Sequence, residues 1–124
     1  MRNITTNAHF VSAVLLFGLS TAVFAGPAKV LDDMLANMDG MTLYVFDNDE
    51  DGKSVCNGSC AMNWPPFLAQ SGDQASGDYT IIMRDDGKMQ WAFRGKALYL
   101  YSKDKKAGEK SGDGFRDVWH IVKP

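Results

Sequence analysis

The sequence is short of most groups that catalysts and metal proteins depend on. Its 124 residues include two histidines, and His9 falls in an N-terminal stretch that reads as an export leader. His120 is then the only imidazole left in the mature chain, which excludes HExxH zinc sites and multi-histidine copper sites. There are two cysteines, Cys56 and Cys60, far from the leader, so no thiol is available for a lipid anchor and none is expected. No long apolar run exists either. Phe10 to Phe24 is broken by Ser12, Gly18, Ser20 and Thr21 and is too short to span a membrane. Positive charge is not in excess: losing Arg2 with the leader leaves twelve cations against fifteen carboxylates, a net charge of −3. Nucleic-acid binding is disfavoured, because tracking phosphates requires a basic surface. A Gly-x-Ser-x-Gly elbow, a phosphate-binding glycine loop and a dinucleotide fingerprint are all missing. The chain is read as a non-enzyme.

What is present begins with the leader itself. Arg2, the apolar run and the small-x-small site at Val23-Phe24-Ala25 before Gly26-Pro27 are the parts of a signal peptide. Residues 1–25 are assigned to it and residues 26–124 to one small domain, periplasmic or secreted. Within the domain the chain repeats itself at an offset of 55: Gly40 falls on Gly95, Leu43 on Leu98, Tyr44 on Tyr99, Phe46 on Tyr101, Asp49 on Asp104 and Trp64 on Trp119. Applied without gaps, the same offset sets Met34 on Met89 and places Ser111 and Phe115 opposite the two cysteines. The units run from about 34 to 68 and 89 to 124, joined by a turn-rich linker at about 69–78.

Turn chemistry and alternation predict strands. Tyr79–Met83 and Met89–Phe93 flank a turn with Asp86-Gly87 at its centre, and Arg94-Gly95 leads into Ala97–Tyr101 as the third strand of a meander. Met41–Phe46 is the matching strand of the first unit, and Met34–Met38 is also read as strand. The helical spacing of Val30, Leu31, Met34, Leu35 and Met38 leaves room for a short helical turn over Lys29–Asp33. Each unit is too small to bury a core alone. The expected fold is therefore all-β, a small antiparallel domain of two pseudo-symmetric repeats, either a monomer or a swapped dimer.

Tyr44-Val45-Phe46-Asp47-Asn48-Asp49 and Tyr99-Leu100-Tyr101-Ser102-Lys103-Asp104 both fit Yx(FWY)xxD. With Cys56-Asn57-Gly58-Ser59-Cys60 leading to Trp64-Pro65-Pro66, and the ending Val118-Trp119-His120, they resemble the bacterial secreted-repeat family of predicted lipoproteins. The resemblance covers about Met34 to Pro124 and implies export, but no activity. The chain departs from the lipoprotein label in lacking the lipid-acceptor cysteine.

Several constellations have more than one reading. Tyr44, Phe46, Tyr99 and Tyr101 suit a ligand platform, but same-face aromatics in strands more often build a core. Asp49 and Asp104, past the strand ends, are expected to cap nearby backbone N–H groups. Cys56 and Cys60 suit a disulfide stapling the loop before Trp64, a redox-active pair, or a Cu(I) site completed by Met62 and His120. Asp47, Asp49 and Asp51 match the first half of a calcium loop whose closing Glu is replaced by Gly58, so calcium binding would be weak. The six methionines of the mature chain are read as core fillers. Copper or calcium is thus possible and no cofactor is firm. An exported β module that binds an envelope or extracellular partner is the leading function, with a copper or thiol-redox protein as the alternative.

Overall fold

A computed structural model describes residues 26–124, so the expected signal peptide lies outside the described residues. The described residues form seven short strands, one short α-helix and one 3-10 turn: β1 Ala28–Leu31, β2 Met34–Asn37, β3 Tyr44–Phe46, α1 Ser59–Asn63, β4 Tyr79–Met83, β5 Met89–Phe93, β6 Lys96–Ala97, the 3-10 turn Phe115–Asp117 and β7 Trp119–Ile121. All strand pairs are antiparallel: β1 with β2, β3 with β7, and β4–β5–β6 as a meander. The fold is the all-β two-repeat domain that the sequence implies. Among the described residues no helix is long and apolar enough to cross a membrane.

The segment from Lys29 to Asp33 is not a helical turn. Val30 and Leu31 pair with Leu35 and Met34, and Asp32 and Asp33 form the two-residue turn, with φ of 51° and 63°. Two consecutive left-handed residues twist as a β-hairpin requires, and Asp tolerates that region better than most side chains. The helical spacing reflected packing instead: Met34 and Leu35 are buried while Val30 and Met38 are exposed. This hairpin is the counterpart of β4–β5, so each repeat begins one strand earlier than the motif-based bounds at residues 34 and 89.

The ungapped offset also fails locally. Leu43 N–H bonds to Leu35 O as Leu98 N–H bonds to Trp91 O, and Leu35 N–H bonds to Val122 O as Trp91 N–H bonds to Phe67 O. Leu35 therefore corresponds to Trp91, and Met34 to Gln90 rather than Met89. The cause is a turn one residue longer in the first unit, where Ala36 bridges Thr42 while Ala92 pairs with Ala97. Of the methionines, Met34 is buried but Met38, Met62, Met83 and Met89 are exposed, so most do not fill the core.

The centre of the domain is the Tyr44–Tyr99 pair, which exchanges both backbone bonds, Tyr44 N–H to Tyr99 O at 2.8 Å and the reverse at 2.9 Å. A pseudo-twofold axis passes between them. Outside them the pattern repeats, because Tyr44 pairs with Ile121 as Tyr99 bridges Pro66. Alternation sends Tyr44, Tyr99 and Tyr101 into one core cluster with Trp64 and Trp119, and Leu43 and Leu98 into a second with Leu35, Trp91 and Phe93. Both faces of the central strands are covered, which is why apolar residues occupy both parities there.

Candidate functional site

The two Yx(FWY)xxD motifs are joined crosswise. Tyr44 O–H donates to Asp104 Oδ2 and Tyr99 O–H to Asp49 Oδ2, each at 2.6 Å. The tyrosine of each repeat thus bonds the aspartate of the other. The second carboxylate oxygen behaves as the sequence suggested, Asp49 Oδ1 accepting Val55 N–H and Asp104 Oδ1 accepting Ser111 N–H. Those two bonds make Val55 the counterpart of Ser111, so Cys56 corresponds to Gly112 rather than Ser111. Burial, reinforced by the facing carboxylate, pushes both phenols well above the ordinary tyrosine range. Burial also raises the Asp49 carboxyl, although its bonds to Tyr99 and Val55 oppose this.

Beside this crossing the aromatic residues stack into a ladder. Phe46 lies on Trp119 at 4.2 Å between centroids, Trp119 on Trp64 at 3.9 Å, and Trp64 on Tyr101 at 4.0 Å. Tyr44 meets Trp64 edge-on and Tyr99 meets Trp119 in the same way. The ladder is pseudo-symmetric: the outer aromatic of each motif covers the tryptophan of the other repeat, and the two indoles meet at the axis. The eight motif residues are therefore one cross-repeat framework.

The loop carrying the cysteines is pinned from beneath. Cys56 and Cys60 form a disulfide with 5.2 Å between Cα atoms, and α1, which carries Cys60, leads into Trp64. Pro65 and Pro66 follow, where a helix cannot continue. Arg84, buried and unremarked in the sequence, donates to Ser54 Oγ, Gln90 Oε1 and Cys56 O at 3.0, 2.9 and 2.9 Å and pairs with Asp86. A buried guanidinium is tolerated because its N–H groups are occupied.

The proposed metal constellations do not assemble. Both sulfurs are spent on each other, Met62 is 78 % exposed, and His120 Nε2 lies 2.7 Å from Asp47 Oδ2. The disulfide would have to open before either sulfur could ligate a soft metal. Of the calcium-loop carboxylates, Asp47 meets His120, Asp49 is committed to Tyr99 and Val55, and Asp51 lies 3.8 Å from Lys96. Among the described residues no group of three or more His, Cys, Asp or Glu is placed to hold a metal ion.

What the framework does create is a cleft of about 650 Å³ across the axis. Phe46 and Tyr101, Trp64 and Trp119, and Cys60 and Phe115 line it as pairs related by the offset of 55. Asn48 with Lys103 and Asn63 with Val118 continue the pattern. Lys103, Arg116, Asn48, Asn63 and Val118 were not singled out from the sequence, although the offset that matched Trp64 to Trp119 also links Asn48 to Lys103. The size suits a small-ligand site.

Fold and site together define a class, the disulfide-bonded all-β module built from two pseudo-symmetric repeats around a shared aromatic cleft. A family described as a secreted repeat of unknown function matches residues 32–67 and 80–123, one copy per repeat. The chain belongs to that secreted-repeat family. No curated protein and no solved structure matches it. The family's description as secreted agrees with the disulfide, a bond that persists in oxidising compartments.

Proposed function

We propose that the protein is an exported module of the cell envelope, periplasmic or released, that acts by binding and not by catalysis. The observation that carries this reading is the cleft on the pseudo-twofold axis, to which both repeats contribute matching residues. Its aromatic floor is held rigidly by the ladder and the crossed Tyr–Asp bonds, so a ligand would meet a preformed surface and lose little affinity to ordering it. The lining holds no His, Asp or Glu to act as an acid or base.

The test is an NMR titration of the mature protein with small ring compounds bearing negative, no or positive charge. Saturable shifts confined to the indole N–H groups of Trp64 and Trp119 and the amides of Phe46, Lys103 and Phe115 are expected. Their loss in Asn63→Trp, which fills the cleft from an exposed wall position, supports the reading. Shifts elsewhere, or none with any probe, overturn it.

A further inference from the structure

We propose that the cleft selects an oxyanion, a carboxylate or phosphate monoester carried on a ring-shaped apolar body, a proposal that rests on the binding reading above. The first argument is how the rings present themselves. Trp64 and Trp119 face each other with planes 2° apart, and their outer faces are covered by Tyr101 and Phe46. The indole faces are consumed, so what they offer the cleft is edges. Aromatic edges carry the positive end of the ring quadrupole. A cation or a sugar ring seeking an open indole face finds none, whereas an anion meets favourable edges.

The second argument is the charge on the rim. Lys103 and Arg116 line the cleft and no carboxylate does. Among the described residues neither cation has an ion-pair partner, in a chain whose formal net charge is −2. The Arg116 guanidinium carbon sits 5.3 Å from the Phe115 ring centroid, which orients the planar group beside the cleft. A guanidinium presents paired N–H donors matched to carboxylate or phosphate oxygens.

The third argument is asymmetry. The floor repeats faithfully, but the cations do not, since Lys103 answers Asn48 and Arg116 answers Ala61 at the offset of 55. The cleft thus has a cationic end where Tyr101 covers Trp64, with Phe115 against both rings and Asn63 O accepting Ser102 N–H, and a neutral end at Phe46, Asn48 and Val118. The indole N–H groups of Trp64 and Trp119, both residues of the lining, make no hydrogen bond among the described residues, and neither nitrogen is a fully buried atom without a partner.

The experiment measures tryptophan-fluorescence binding of 2-naphthoate, 2-naphthyl phosphate, 2-naphthol and 2-naphthylmethylammonium to the oxidised mature protein. Both oxyanions are expected to bind roughly tenfold tighter than naphthol, with the ammonium compound no better than naphthol. Arg116→Gln and Lys103→Gln should each erase much of that advantage, read as the ratio of oxyanion to naphthol affinity within each variant, with the melting temperature showing that the fold is kept. Whichever oxyanion binds tighter identifies the head group. Equal binding of naphthol and the oxyanions, or an oxyanion advantage untouched in both variants, overturns the anion proposal while leaving the binding reading intact. Failure of all four probes overturns the binding reading itself.

Discussion

Replacing Tyr44 by phenylalanine removes one oxygen atom and separates two accounts of the Yx(FWY)xxD motif. If the motif were a local device, Tyr44 would answer to Asp49, five residues on; in the fold it answers to Asp104 in the other repeat, at 2.6 Å. Asp104 is 6 % exposed, so water replaces the lost donor poorly. A hydrogen bond to a charged acceptor contributes about 1.5–3 kcal/mol. The phenol oxygen also accepts Gly112 N–H at 3.3 Å, and orphaning that amide adds about 1 kcal/mol. The expected destabilisation of Tyr44→Phe is therefore about 3 kcal/mol, or a fall of roughly 10–20 °C in Tm for a domain of this size. The decisive assay is a pair of double-mutant cycles read by urea unfolding. Tyr44→Phe with Asp104→Asn should couple by about 1–2 kcal/mol, whereas Tyr44→Phe with Asp49→Asn, which share no hydrogen-bond partner, should add within about 0.5 kcal/mol. Tyr99 should couple to Asp49 in the same way. Stronger coupling between Tyr44 and Asp49 than between Tyr44 and Asp104 would refute the crossed arrangement.

Other outcomes follow from the same geometry. A Cβ on Gly112 would lie 2.5 Å from the Trp64 ring, so Gly112→Ala should cost about 1–3 kcal/mol by overpacking and weaken the near-ultraviolet circular dichroism of the stacked indoles; an unchanged spectrum and stability would contradict that contact. Opening the five-residue ring between Cys56 and Cys60 by the double serine variant should lower stability by about 2 kcal/mol on the chain-entropy account, without abolishing the fold, as thermal melting would show. Because burial raises the pKa of Tyr44 and Tyr99, their contribution to stability is complete below the ordinary tyrosine pKa of about 10 and is lost as pH rises above it, since the unfolded chain releases those protons first. Urea midpoints should accordingly fall above that pH, and less steeply in Tyr44→Phe.

Much of the candidate site could be read along the chain, and the unread part has one cause. Tyr44, Phe46, Asp49, Trp64 and their counterparts stood out because repetition marks them. Strand periods and turn residues placed β4, β5 and the Arg94-Gly95 turn. Arg84 gave no sign, because a lone arginine beside a predicted turn usually faces solvent, and its burial becomes tolerable only when Ser54 and Cys56 from a distant segment join Gln90 and Asp86 of its own hairpin. Lys103 and Arg116 drew no reading either, since each is followed by an aspartate, Asp104 and Asp117, and only the fold leaves both cations without an ion pair among the described residues.

By itself the sequence determined the repeat, the all-β character and the cysteine pair, since these rest on composition, spacing and turn propensities that act within a few residues. Tertiary structure decided which repeat's aspartate each tyrosine meets, the order of the aromatic ladder, the one-residue register shift near Met34, the β1–β2 hairpin and the existence of the cleft. Those are contacts between segments far apart in the chain. They are set by packing two half-cores about an axis, which no local propensity specifies.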